Sequence, residues 1–185
     1  RKFKVAVTVP GDNSVDLLTQ DIGLVAFTDP SGDLRGCNVY VGGGMGRTHN
    51  KEETFARIAD SLGYVSAADV FDLLQAIVAL QRDHGDRRIR RHARMKYLLE
   101  DRGVDWFRNE LKTNYFFRPL KGLRNEPKPK LLDYLGWHRQ KAGLWFVGLP
   151  LLCGRLKGEV KQGLRAIVDT YQPVSYTHLR AHETV

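Results

Sequence analysis

Residues 38–50 read Asn38-Val39-Tyr40-Val41-Gly42-Gly43-Gly44-Met45-Gly46-Arg47-Thr48-His49-Asn50. Val39 and Val41 stand two apart with Tyr40 between them, the pattern of a strand with two different faces. Glycines at 42, 43, 44 and 46 then end the strand. Such a corner lets the backbone approach a ligand and offer amide groups to it. Arg47 adds a fixed cation, and a helix start expected near Lys51 would add partial positive charge. The spacing is neither a Walker loop nor a dinucleotide fingerprint. A plain glycine-rich turn is the competing reading.

Working outward, residues 22–27 form a second apolar run, closed by a turn at Asp29-Pro30-Ser31-Gly32. Residues 3–9 alternate, with Val5, Val7 and Val9 on one face and Lys4, Ala6 and Thr8 on the other, which predicts a half-buried strand. These three runs predict a small antiparallel sheet with the glycine loop at one corner. Downstream, residues 52–61 are expected as a short helix. Ser66 is expected to cap a helix whose apolar face is Val70, Leu73, Leu74, Ile77 and Val78. Two more short helices are expected at 97–100 and 104–111. The class is therefore α+β.

Residues 118–132, rich in Pro, Lys and Arg, are expected as a linker after a first domain at 1–117. A second unit at 133–172 opens with a strand at 144–148. It continues with a helix at 159–171 carrying Val160, Leu164, Ile167 and Val168 on one face. A strand and a helix make half of an α+β unit, whose partner strands are expected outside this chain. Residues 173–185 resemble a translated sequencing-library adapter and are expected to be a non-native tail. His178 and His182 within them are therefore set aside as a metal pair. The start at Arg1, without Met, suggests an internal fragment.

The formal net charge is +8, which suits an anionic partner. The longest apolar stretch, residues 144–153, is too short for the roughly 20 residues of a membrane helix. Cys37 and Cys153 form neither CxxC nor a metal-ligand spacing, which fits packing roles in a reducing, cytoplasmic setting.

Three segments could carry chemistry. In Arg1-Lys2-Phe3-Lys4 the two lysines project to one strand face, where they could hold an oxyanion and deliver protons; from the residues alone a solvated strand edge is the preferred reading. The glycine loop with Arg47 is the second. The third runs from Gln81 to Lys96 and is the densest basic stretch; if helical from Arg88, it sets Arg87, Arg90, Arg91 and Arg94 on one side. RNA binding competes for this segment, but no aromatic residues interleave the arginines for base stacking.

RKFK, DNSVDLLTQDIG, NVYVGGGMGRTHN, TFARIAD, QRDHGDRR and RMKYLLE occur in this order, and together they resemble the sulfite and nitrite reductase family over residues 1–172. The wording GGGMGRTH is most similar to the ferredoxin-dependent sulfite reductases. The resemblance implies an enzyme reducing sulfite to sulfide at a sirohaem coupled to a 4Fe-4S cluster, with ferredoxin as electron donor. It implies a sirohaem-binding domain followed by an incomplete ferredoxin-like half-domain. It implies that Lys2 and Lys4 are catalytic, holding sulfite. It also implies sirohaem contacts from Arg1, Gly42, Gly43, Gly44, Met45, Gly46, Arg47, Gln81, Arg87, Arg94 and Lys96. Nitrite reductases of the family typically carry Asn at the position of Lys4, so the resemblance favours sulfite. The family's cluster cysteines, CxxxxxC and CxxxC, lie downstream; neither Cys37 nor Cys153 matches them. The chain alone is therefore expected to bind no cluster and to turn over no sulfite. The alternatives are a nitrite reductase of the same family and, in another class, a basic nucleic-acid-binding module.

Overall fold

A computed structural model of the chain describes residues 3–130, 134–140, 143–151 and 154–171. The chain divides into two units, Arg1–Leu132 and Asp133–Val185. In the first, β1 (Val5–Thr8), β2 (Ile22–Thr28), β3 (Leu34–Val41) and β4 (Asp60–Ser66) form a sheet in that order. β2, β3 and β4 pair antiparallel, but β1 runs parallel to β2, so the sheet is mixed rather than purely antiparallel. The short 13-residue path between them, through a 3₁₀ turn at Leu17–Thr19, returns the chain to the same end of the sheet.

One face carries the core. Ile22, Leu24, Cys37, Val39 and Val41 pack against α1 (Val70–His84), α2 (Met95–Arg102), α3 (Val104–Glu110) and the π-helical turn Leu111–Tyr115. On α1 the buried side is Val70, Leu73, Ala76, Ile77 and Leu80; Val78, expected there, faces out. β1 also inverts its expectation. Val5, Val7 and Val9 are 47%, 55% and 54% exposed, while Thr8 on the other face is buried. Val5 and Val7 pair with Ile22 and Leu24 and so share the helix-side face, but the helices cover only β2 to β4. Alternation locates a strand's two faces without saying which one other elements reach.

Residues 118–130 are not a free connector. Lys121 pairs with Tyr64 on the open edge of β4, N–H to carbonyl at 2.9 and 3.1 Å. Asn38, fully buried, donates to the Arg124 carbonyl and accepts its N–H, both at 2.9 Å. The Tyr40 hydroxyl donates to Glu126, and Lys130 pairs with the turn at Gly11 and Asn13. This strap thus crosses the sheet face opposite the helices, from the β4 edge to the turn after β1. Pro127 and Pro129 cannot donate to a ladder, which suits a crossing segment rather than a fifth strand.

The helix expected at 52–61 is absent: Asp60 onward pairs with β3 as a strand, and Arg57 forms an antiparallel bridge with Gly44. Tertiary pairing overrides local propensity there. In the second unit a hairpin of β5 (Gly136–Arg139) and β6 (Trp145–Gly148) precedes α4 (Gly158–Tyr171). β5 was not anticipated from the sequence. The apolar face of α4 is open, with Val160, Ile167 and Val168 exposed. Arg1, Lys2, Cys153 and the tail at 173–185 lie outside the described residues.

Candidate functional site

The glycine corner is built from beneath. Gly42 donates to the Asp21 carbonyl at 2.9 Å, Gly43 to the Gln20 carbonyl at 3.0 Å and Gly44 to the Arg57 carbonyl at 2.8 Å. These three amides therefore stabilise the corner and are not free for a ligand. Gly42 needs its left-handed φ of 81°. Gly43 needs its lack of a side chain, because a Cβ would stand 2.3 Å from the Leu18 carbonyl oxygen. The amides of Met45, Gly46 and Arg47 take no partner among the described residues and are the ones a ligand can use. The expected helix dipole at Lys51 is missing, since no helix starts there: Glu52 and Glu53 lie in a turn and Arg57 forms a bridge with Gly44.

Lys96 is among the largest of the fully buried side chains, 1% exposed, at the start of α2. Its ammonium donates to the carbonyls of Gly44 at 3.3 Å, Gly46 at 2.7 Å and Phe55. All three donors are thereby engaged, and the rings of Phe55 and Tyr97 lie 5.6 and 5.0 Å from Nζ. Burial first, then the charge of Arg94, push Lys96 below the ordinary lysine range, while Asp21 pulls it back. Arg57 adds a second clamp: its guanidinium reaches the Gly42 carbonyl at 3.2 Å, Asp60 at 2.7 Å and Glu100 at 2.9 Å.

The basic segment is not helical from Arg88. α1 ends at His84, only Arg90–His92 forms a 3₁₀ turn, and Met95 opens α2. The turn is fastened to the loop by Arg91 to Glu53 at 3.2 Å and by the His92 ring to the Glu53 carbonyl at 3.1 Å. Arg94 does not face solvent with the other arginines; it forks onto Asp21 at 3.2 and 2.8 Å. Asp21 also accepts the Lys4 amide at 2.9 Å. Gln81 donates to the Ala93 carbonyl at 3.2 Å, leaving its buried Oε1 without a partner.

The structure thus brings Lys4, the loop from Gly42 to Gly46, Arg94 and Lys96 together, with Gln81 against the same segment. Arg47 and Arg87 are exposed on the outer side, as are Arg88 and Arg90, and none of the four makes an ion pair among the described residues. Unpaired guanidiniums and three unbonded amides fit a ligand with many carboxylates. The orphan Gln81 Oε1 fits a donor, not an ionised carboxylate. Asp21, Arg57 and Glu53 went unnoticed in the sequence. Asp21 had one signal: an acid directly before the buried run Ile22-Gly23-Leu24-Val25, where burial demands a cationic partner.

With this geometry in view, the chain belongs to the sulfite and nitrite reductase family: residues 1–119 match the family described as the nitrite and sulphite reductase 4Fe-4S domain. It is 57% identical over 176 residues to the sulfite reductase [ferredoxin] of Synechococcus elongatus, covering 93% of this chain and 28% of that relative. It is 39% identical over 176 residues to the sulfite reductase [NADPH] hemoprotein beta-component of Chromohalobacter salexigens, covering 92% of this chain and 30% of the relative. The solved structure of the Mycobacterium tuberculosis NirA protein superposes with a TM-score of 0.71 at 29% identity, over 92% of this chain and 30% of that one. The chain spans less than a third of the length of these relatives. No described helix is long and apolar enough to cross a membrane.

Proposed function

We propose that this chain supplies the oxyanion-binding and sirohaem-binding part of a ferredoxin-dependent sulfite reductase. The observation that carries the reading is the joining of three segments, the Lys4 strand, the glycine loop and the basic stretch, through Asp21, Arg94 and Lys96. Sirohaem coupled to a 4Fe-4S cluster would, when bound, pass electrons from reduced ferredoxin to the sulfur of sulfite. Arg47 and Arg87, with Arg88 and Arg90, would pair with its carboxylates, and the amides of Met45, Gly46 and Arg47 would add neutral donors. Lys96 acts from below, holding the loop carbonyls rather than touching a ligand. Lys4, with Lys2 beside it in sequence, holds the oxygens of sulfite and relays protons from solvent, two of which, with two electrons, are consumed as each oxygen leaves as water. Lysine rather than Asn at position 4 favours sulfite over nitrite.

Among the described residues no group of His, Cys, Asp and Glu could hold a metal ion. In this reading the cluster ligands belong to parts of a full-length reductase other than this segment. A reducing cytoplasmic setting belongs to the same proposal, supported by the buried free thiol of Cys37. The test is a full-length reductase containing this segment, assayed with reduced ferredoxin. Sulfide from sulfite, with Lys4→Met abolishing turnover at unchanged haem content, is expected. Faster turnover of nitrite than sulfite, or full activity in Lys4→Met, would overturn the reading.

A further inference from the structure

The geometry points to Asp21 as the positioning residue that aligns the Lys4 strand with the glycine loop. The inference rests on the functional reading above and adds a residue to it. Asp21 is fully buried, and its three acceptor oxygens between them reach three parts of the site. Its Oδ2 accepts the main-chain N–H of Lys4 at 2.9 Å and Nη2 of Arg94 at 2.8 Å. Its Oδ1 accepts Nε of Arg94 at 3.2 Å. Its own carbonyl accepts the N–H of Gly42 at 2.9 Å. Lys4 precedes β1, and its carbonyl receives the Ile22 N–H at 3.0 Å, so the backbone at Lys4 is gripped on both sides by residues 21 and 22.

Two consequences follow. First, the height of Lys4 relative to the loop is set by one carboxylate, not by the regular ladder alone, which begins at Val5. Second, Arg94 is neutralised at close range by a buried anion. Arg94 is therefore a structural cation, and the net positive charge felt by a bound oxyanion comes from the lysines and the outer arginines. An Asn at position 21 offers one acceptor oxygen where the carboxylate offers two, so it cannot hold both the Lys4 amide and the guanidinium fork.

The experiment is a double-mutant cycle in a full-length reductase containing this segment, normalised to haem content: Asp21→Asn and Lys4→Met, singly and together. Asp21→Asn is expected to lower kcat/KM for sulfite by about tenfold or more, the scale of a lost charged hydrogen bond and a small misplacement. Measured by optical titration in both backgrounds, Asp21→Asn should weaken sulfite affinity several-fold where Lys4 is present and by less than about twofold in Lys4→Met. Equal effects in both backgrounds would overturn the positioning role while leaving the site reading intact; full activity in Lys4→Met would instead overturn that reading. A readout independent of variants and of turnover is amide hydrogen exchange in the wild type. The Lys4 amide should exchange as slowly as those of β1, and exchange at the rate of an unbonded amide would overturn the inference even if Asp21→Asn fails to fold.

Discussion

Lys96→Met removes the ammonium beneath the glycine loop while keeping an unbranched apolar stem of similar volume. Three carbonyls lose a donor: Gly44, Gly46 and Phe55. A hydrogen bond to a charged group contributes about 1.5–3 kcal/mol, which would suggest a very large loss if summed. The surroundings reduce it. The Gly44 carbonyl keeps the Arg57 N–H at 3.0 Å. Gly46 is exposed, so water replaces its partner. Removing a buried ammonium also relieves its desolvation and its repulsion from Arg94. The loss of the Phe55 bond and of the cross-link between loop and α2 remains, about 2–4 kcal/mol in total. For a chain of this size that is about 6–12 °C in Tm. Thermal unfolding followed by circular dichroism would measure it, with hydrogen exchange at residues 42–56 to show that the opening is local. A Tm within about 1 °C of wild type, with unchanged exchange in that segment, would refute the claim that Lys96 builds the loop.

Other perturbations probe neighbouring parts. Gly43→Ala places a methyl group 2.3 Å from one backbone carbonyl and 2.7 Å from another, so the corner must shift; a loss of about 2–3 kcal/mol is expected in urea unfolding, with reduced sirohaem content in a full-length reductase. Asn38→Leu leaves the Arg124 N–H and carbonyl unpaired, and limited proteolysis should cut within residues 118–130 at least about tenfold faster. Burial raises the Cys37 thiol above its ordinary value of 9.0, so the unfolded chain ionises first. Stability contributed by this group is present below pH 9 and is lost as pH rises further, by at most about 1.4 kcal/mol per pH unit. Urea unfolding from pH 8 to 10.5 should show that slope in the wild type and a shallower one in Cys37→Val.

Much of the scaffold follows from local pattern. The alternation in 38–41 and the apolar run at 22–27 became β3 and β2, and the 3.6-residue spacing from Val70 became α1. The glycine corner and the basic stretch were both visible as composition, because chemistry at such sites is concentrated in contiguous residues. The helix expected at 52–61 failed for a non-local reason: Arg57 and Asp60 pair with backbone already fixed by β3 and the loop. The strap failed likewise, since nothing in a Pro- and Lys-rich segment announces that Asn38 and Tyr64, tens of residues earlier, will receive it.

By itself the sequence determined which residue types are available to an anion: two lysines two positions apart, a glycine corner and a run of arginines. Tertiary structure decided which of those charges are free. Lys96 and Arg94 belong to the same basic stretch as Arg87 and Arg90, yet the first two lie inward against carbonyls and a buried carboxylate and the others face outward unpaired. Charge is a property of the residue, whereas its availability depends on which partner folding brings within hydrogen-bonding distance.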